Sequence, residues 1–167
     1  MMLLLGAVVC ISFLSTGASA VDWITDANYI NHPAVKKIRK IYRQINAAES
    51  AGQLNQKSRT CHENGGVIEM RARLFRDRAG LTRKYVVSGG SDDSSVHAEY
   101  YYDASGTLRF IFGTLNAVNG TSIEKRVYFD EKGRHLHTNR REKGPGYPDD
   151  SIKAVIRDPD ADFYGCR

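Results

Sequence analysis

The sequence predicts an α+β fold: an N-terminal amphipathic helix packed on an antiparallel β-meander of about six strands, with a short C-terminal helix and one disulfide. Three observations carry it. Apolar residues recur at three- and four-residue spacing between Pro33 and Ala51. From Ile68 to Leu74 they alternate strictly with polar residues. Beyond that, an Asp placed three residues before a Gly recurs at Asp77, Asp103 and Asp130, intervals of 26 and 27 residues.

Residues 1–20 read as an export leader. Met1 to Leu5 open an apolar run to Leu14, and Ala18-Ser19-Ala20 gives the small-x-small pattern cut before Val21. Ser12, Ser15, Thr16 and Gly17 interrupt the run, which falls short of the roughly 20 apolar residues of a spanning helix. No Lys or Arg precedes it, a departure from the usual positive start. Cys10 lacks the Leu and adjacent Gly or Ala that mark a lipidated cysteine. The expectation is a periplasmic or extracellular protein with no transmembrane anchor. Residues 21–60 then form a helical arm and linker and 61–167 a β domain, together one folded unit.

With the leader removed, Cys61 and Cys166 remain in an oxidising compartment, where an even pair reads as a disulfide. The bridge would close a loop of roughly 105 residues and contribute roughly 4 to 5 kcal/mol by chain entropy. A nucleophilic Cys61 beside His62 has no accompanying motif, since Glu63-Asn64-Gly65-Gly66 reads as a turn. The chain carries 24 basic and 19 acidic residues, a net charge of +5. That balance draws it mildly toward anionic polymers and signals no specific nucleic acid.

In the arm, Asn31 can cap, Pro33 suits the first turn, and Gly52 ends the helix. Val35, Ile38, Ile41, Tyr42, Ile45 and Ala48 form its apolar face, opposite Lys36, Lys37, Arg39, Lys40 and Arg43. Gln53 to Thr60 is polar and aperiodic, so it reads as a linker. The β body starts at about Val67. Met70, Ala72 and Leu74 alternate with Glu69, Arg71 and Arg73, so one face of this strand is dry and the other wet. Leu81 to Ser88 is the next strand, and the polar stretch Ser88 to Ser95 reads as an exposed loop.

Each Asp-x-x-Gly is a hairpin turn: Asp accepts backbone hydrogen bonds and Gly takes positive φ. Asn119-Gly120 is a two-residue hairpin signal between Phe110–Val118 and Thr121–Phe129. Tyr102-Asp103-x-x-Gly106-x-Leu108 resembles the hairpin of YD-type repeat proteins over about eight residues, and Phe129 to Leu136 is a looser copy. The resemblance implies a turn at each copy and carries no function. After the run Lys143-Gly144-Pro145-Gly146-Tyr147-Pro148, Asp149-Asp150-Ser151 can cap a short helix bearing Ile152, Val155 and Ile156. Asp158-Pro159 would stop it.

Candidate chemistry is sparse. His135 and His137 share a strand face at the spacing of β-sheet metal sites, with His97 or Glu99 as a third ligand. His97, Asp92 and Ser95 have the residue types of a hydrolase triad without its Gly-x-Ser-x-Gly elbow. Of three consecutive tyrosines, Tyr101 must point away from Tyr100 and Tyr102. It either joins His97, Glu99 and Arg109 on an outer binding face or lies beneath the helical arm. Arg140, Arg141 and Lys143 before the Gly-Pro-Gly loop would suit an anionic ligand, and the loops Ser88 to Ser95 and Lys143 to Pro148, with Tyr147, would join the sheet face in binding. The chain has no phosphate-cradling motif and no zinc-type cysteine set, so no cofactor is implied.

Two functional expectations follow. The first is a non-catalytic binding module or inhibitor for an envelope macromolecule, either a protein or an anionic polymer. The second is a small metal-assisted or acid-base hydrolase centred on His97, His135 and His137. Convergence of the three histidines in a concave pocket is the geometric discriminator.

Overall fold

The computed structural model describes residues 23–63, 68–147 and 155–165. Helix α1 (Pro33–Ser50) is followed by strands β1 (Asn55–Glu63), β2 (Ile68–Arg76), β3 (Thr82–Ser91), β4 (Ser94–Tyr102), β5 (Leu108–Ala117), β6 (Ser122–Phe129) and β7 (His135–Lys143), then by helix α2 (Pro159–Gly165). Among the described residues the strands form a single antiparallel sheet in chain order, each paired with the strand next to it in sequence. The strand count is seven rather than six because Gln53–Thr60, read as a linker, contains most of β1. Lys57, Ser58, Arg59 and Thr60 lack apolar alternation because β1 is an edge strand whose side chains are exposed up to Thr60.

Period-two alternation gives the sheet two distinct faces. One carries Leu74, Tyr85, Tyr100, Tyr102, Ile111, Val127 and Phe129, and Phe163 of α2 packs into the same cluster. The other carries Tyr101, Phe110 and Tyr128 beneath Val35, Ile38 and Ile45 of α1. Tyr101 therefore does point away from its two neighbours, but into a second core. That core excludes it from an outer surface, since it is 1% exposed.

Helix α1 begins at Pro33 as expected, although His32 is the cap: its Nδ1 accepts a hydrogen bond from the Ala34 N–H at 3.2 Å. Helix α2 reverses an expectation. Asp158-Pro159 starts this helix instead of stopping one, with Asp158 Oδ1 accepting from the Ala161 N–H at 2.9 Å. Proline suits the first helical position because its missing N–H would have no intrahelical partner there. Val155 and Ile156 precede the helix, and the anticipated caps Asp149 to Ser151 lie outside the described residues. So do the leader with its Ala20–Val21 cleavage point and Cys166, and with Cys166 the pairing to Cys61.

The repeated turns share one hydrogen-bond pattern. At Asp77, Asp103 and Asp130, the Asp carbonyl accepts from the Gly N–H three residues on, at 3.0 Å in each case. Each Asp Oδ1 also accepts from two backbone N–H groups of its turn. The Asn119-Gly120 connection is not a two-residue loop. Gly120, at φ 86°, bonds back to the Ala117 carbonyl in the same pattern, so Ala117 stands where the Asp stands elsewhere. Ser88–Ser95 is likewise no open loop. β3 runs to Ser91, β4 starts at Ser94, and Asp92-Asp93 make the turn. Gly89 and Gly90 permit this close pairing: a Cβ on Gly90 would meet the Ser94 carbonyl oxygen at 2.1 Å.

Candidate functional site

Helix α1 covers only part of its sheet face. Tyr29, just before it, packs on Tyr128 of β6 and His137 of β7, while Glu49 near its C-terminus reaches Lys84 of β3. The helix thus lies across the row Phe75, Lys84, Tyr101, Phe110, Tyr128 and His137, which are cross-strand partners in that order. The rows beyond it on the same face are mostly polar. Glu99, Phe112, Arg126 and Asn139 form one. Thr60, Arg71, Ser88, His97, Thr114, Glu124 and Arg141 form the next and span all seven strands. Their side chains are half-exposed or exposed.

A buried polar cluster anchors the margin between helix and open rows. Lys84, 5% exposed, donates from Nζ to Glu49 Oε2 at 2.8 Å and Asn46 Oδ1 at 3.0 Å, and lies 3.2 Å from Glu99 Oε1. Tyr101 donates its hydroxyl proton to Glu99 with its oxygen 3.1 Å from Asn46 Oδ1, while His97 Nε2 lies 3.3 Å from Glu99 Oε1. Burial alone would raise the Glu99 carboxyl. Hydrogen bonds from His97 and Tyr101 and the charge of Lys84 outweigh it and hold that carboxyl at about 2. Burial, with the Glu99 carboxylate adjacent, pushes the Tyr101 hydroxyl well above the ordinary phenol range. Neither of these two groups titrates near neutrality, so each keeps its charge state there. A recess of about 240 Å³ opens beside it, lined by Tyr42, Asn46, Glu99, Phe112 and Arg126 among others.

The open rows are rich in cations. Arg71, Arg73, Arg126 and Arg141 project from this face beside Glu99 and Glu124. Lys84 already neutralises Glu99, and Glu124 pairs with Arg126, whose guanidinium also sits 5.2 Å over the Phe112 ring. Arg71 pairs with Glu69 at 3.3 Å in an exposed setting.

Residues singled out from the sequence divide between this face and elsewhere. His97 and Glu99 lie on it, joined to each other, and Arg141 lies at its far edge. Arg140 occupies the other face, because neighbours on a strand alternate and its cross-strand partner is Lys125. Arg109 is no surface ligand group. It occupies the β-bulge between the Tyr101–Phe110 and Tyr102–Leu108 pairs, is 6% exposed, and donates to Asp103 Oδ2 at 2.9 Å and to the Phe129 carbonyl at 3.3 Å. Tyr147 donates to Asp93 Oδ1 at 3.0 Å and fastens its loop to the β3–β4 turn.

The metal expectation fails on register. A bulge between Tyr128 and Phe129 sets His135 opposite Phe129 and His137 opposite Tyr128, residues of different cores, so the two histidines face opposite sides of the sheet. His135 is exposed and bonds Thr138, whereas His137 is stacked against Tyr29 and Tyr128 with Asp26 at 3.2 Å. Among the described residues, no group of three His, Cys, Asp or Glu side chains is placed to hold a metal ion. The three histidines of the hydrolase expectation do not converge.

Sequence reasoning missed Arg71, Arg73 and Arg126 as site residues. The alternation that identified β2 assigned its arginines only to a wet face, and their grouping with β5–β7 depends on sheet order. No family model matches this chain, and neither the curated proteins nor the solved structures contain a significant match. Among the described residues, no helix is long and apolar enough to cross a membrane.

Proposed function

We propose that this protein is an exported, non-catalytic binding module that holds an envelope macromolecule on the open polar face beside α1. The carrying observation is the cationic strip itself: four arginines on a sheet backed by a second apolar core and edged by a locked charge cluster. A charged sheet surface of this kind recognises partners through electrostatic complementarity, which needs no reactive group. The apolar leader and Ala18-Ser19-Ala20 support export, with the mature chain starting at Val21.

A Cys61–Cys166 disulfide belongs to the same reading. Cys61 is buried, and Arg59, two residues earlier, donates to the carbonyls of Phe163 and Tyr164 at 3.2 and 3.0 Å. The chain just before Cys166 therefore lies along β1 beside Cys61.

The test is capture from native envelope extract by the immobilised oxidised chain, Val21 to Arg167. An Arg126→Gln/Arg141→Gln variant and an Arg78→Gln/Arg140→Gln variant of equal charge run in parallel. A partner lost only by the first variant supports the reading. Equal retention by both, or equal loss from both, contradicts it.

A further inference from the structure

We infer that the β1–β3 end of the open face is a binding site for a phosphate monoester group. The inference deepens the binding-module reading and rests on it, since this end is continuous with the cationic strip. A cleft of about 440 Å³ lies here, lined by Ser58, Thr60, Arg71, Arg73 and Ser88 together with Arg59 and Ala72.

Register makes this more than a patch of surface arginines. Arg71 and Arg73 point to the same side of β2, about 7 Å apart along the strand. Thr60 stands directly opposite Arg71 and Ser58 directly opposite Arg73 on β1, and Ser88 flanks Arg71 from β3. Two guanidinium forks are thus framed by three hydroxyls, with the Glu69 carboxylate beside them at 3.3 Å from Arg71. Arg71 commits its Nε to Glu69, leaving both terminal nitrogens. Arg73 lies 5.7 Å over the Phe75 ring and has no hydrogen bond or ion pair among the described residues. An aromatic face beneath a guanidinium orients it while leaving its donors outward.

Donor number selects the ligand. A carboxylate offers two oxygens, which one fork satisfies. A phosphate monoester offers three terminal oxygens and close to two negative charges, matching two forks with hydroxyl donors on either side. The remaining arginines of the strip, Arg126 and Arg141, lie beyond β3 and take no part in the site.

Isothermal titration of the oxidised chain with inorganic phosphate and with glycerol 3-phosphate is the test. Flotation with phosphatidylcholine vesicles, with and without phosphatidic acid, runs beside it. Both soluble anions should bind, and Arg71→Gln/Arg73→Gln should weaken them by about tenfold or more. Lys at both positions should restore only part of the affinity, because it retains charge but not the fork. Arg126→Gln/Arg141→Gln should leave phosphate affinity unchanged. That outcome separates failure of this site from failure of the wider face, which is read by macromolecular capture. Vesicle binding in addition to soluble binding identifies a lipid-borne phosphate as an accepted source, and its absence identifies a soluble one. The inference is overturned if soluble phosphate does not bind, if vesicles alone bind, or if the Arg126/Arg141 variant loses phosphate as strongly as the Arg71/Arg73 variant.

Discussion

Lys84 Nζ lies 3.2 Å from Glu99 Oε1 on the adjacent strand, and the same ammonium reaches Glu49 of α1 at 2.8 Å. One buried cation thereby joins the sheet to the helix that frames the open face. Because that charge cluster fixes how far α1 extends over the sheet, it sets the boundary of the exposed polar rows.

The depressed Glu99 carboxyl makes this boundary sensitive to acid. Its folded value, about 2, is below its ordinary 4.5, so its stabilisation is fully present above about pH 4.5 and is lost as pH falls toward 2. The contribution is at most about 3 kcal/mol. Urea unfolding of the native chain between pH 6 and pH 2.5 should show a steeper loss of stability than Glu99→Gln. Parallel pH profiles would contradict the assignment.

The Asp-x-x-Gly turns should differ in energetic weight despite their shared backbone pattern. Asp103 faces the buried Arg109, whereas Asp130 faces Arg134, whose side chain is 74% exposed. Arg109→Ala should cost about 2 to 4 kcal/mol, since it removes packing and leaves Asp103 without its cation. Arg134→Ala should cost no more than about 0.5 kcal/mol. Thermal denaturation of the two variants decides this, and equal losses would show that the bulged arginine is not a structural clamp.

At the opposite end of the sheet, Gly144 adopts φ +93°, and a Cβ there would stand 2.6 Å from the Gly120 carbonyl oxygen. Gly144→Ala should therefore cost about 2 kcal/mol or more, through left-handed strain plus displacement of the loop that Tyr147 fastens. Gly52, at φ +66° with open space around it, should cost only about 1 kcal/mol on the same change. Comparing their melting temperatures tests whether close approach adds to strain.

The proposed bridge predicts that Cys61→Ser/Cys166→Ser lowers stability by about 2 to 5 kcal/mol. Intact-mass analysis with and without reductant, followed by urea unfolding, checks both pairing and weight. A native chain that alkylates at both cysteines without reductant would contradict it.

Much of the architecture is legible in the residues because local chemistry specifies it. Alternation in β2 and the amphipathic spacing of α1 reflect burial of one face, and the recurrent Asp and Gly reflect turn hydrogen bonding. What escaped was set at longer range. β1 carries no apolar alternation, so only its pairing with β2 reveals it as a strand. The bulge at Tyr128/Phe129 inverts one histidine relative to the other, a one-residue effect that a regular period cannot register. Arg109 looked like a surface ligand because a buried arginine and an exposed one read alike until Asp103 and the Phe129 carbonyl are seen around it. The candidate site was legible only as isolated wet residues, since Thr60, Arg71, His97 and Arg141 become neighbours of one row through sheet order.

The central claim, that the open face beside α1 is where a partner binds, is tested most directly by blocking it with a bulky group. Thr114→Cys places a maleimide adduct in the middle of the polar row, and Arg140→Cys places the same adduct on the other face. Partner capture should be abolished by the Thr114 adduct and retained with the Arg140 adduct. Retention with the Thr114 adduct, or loss with both, would contradict the account.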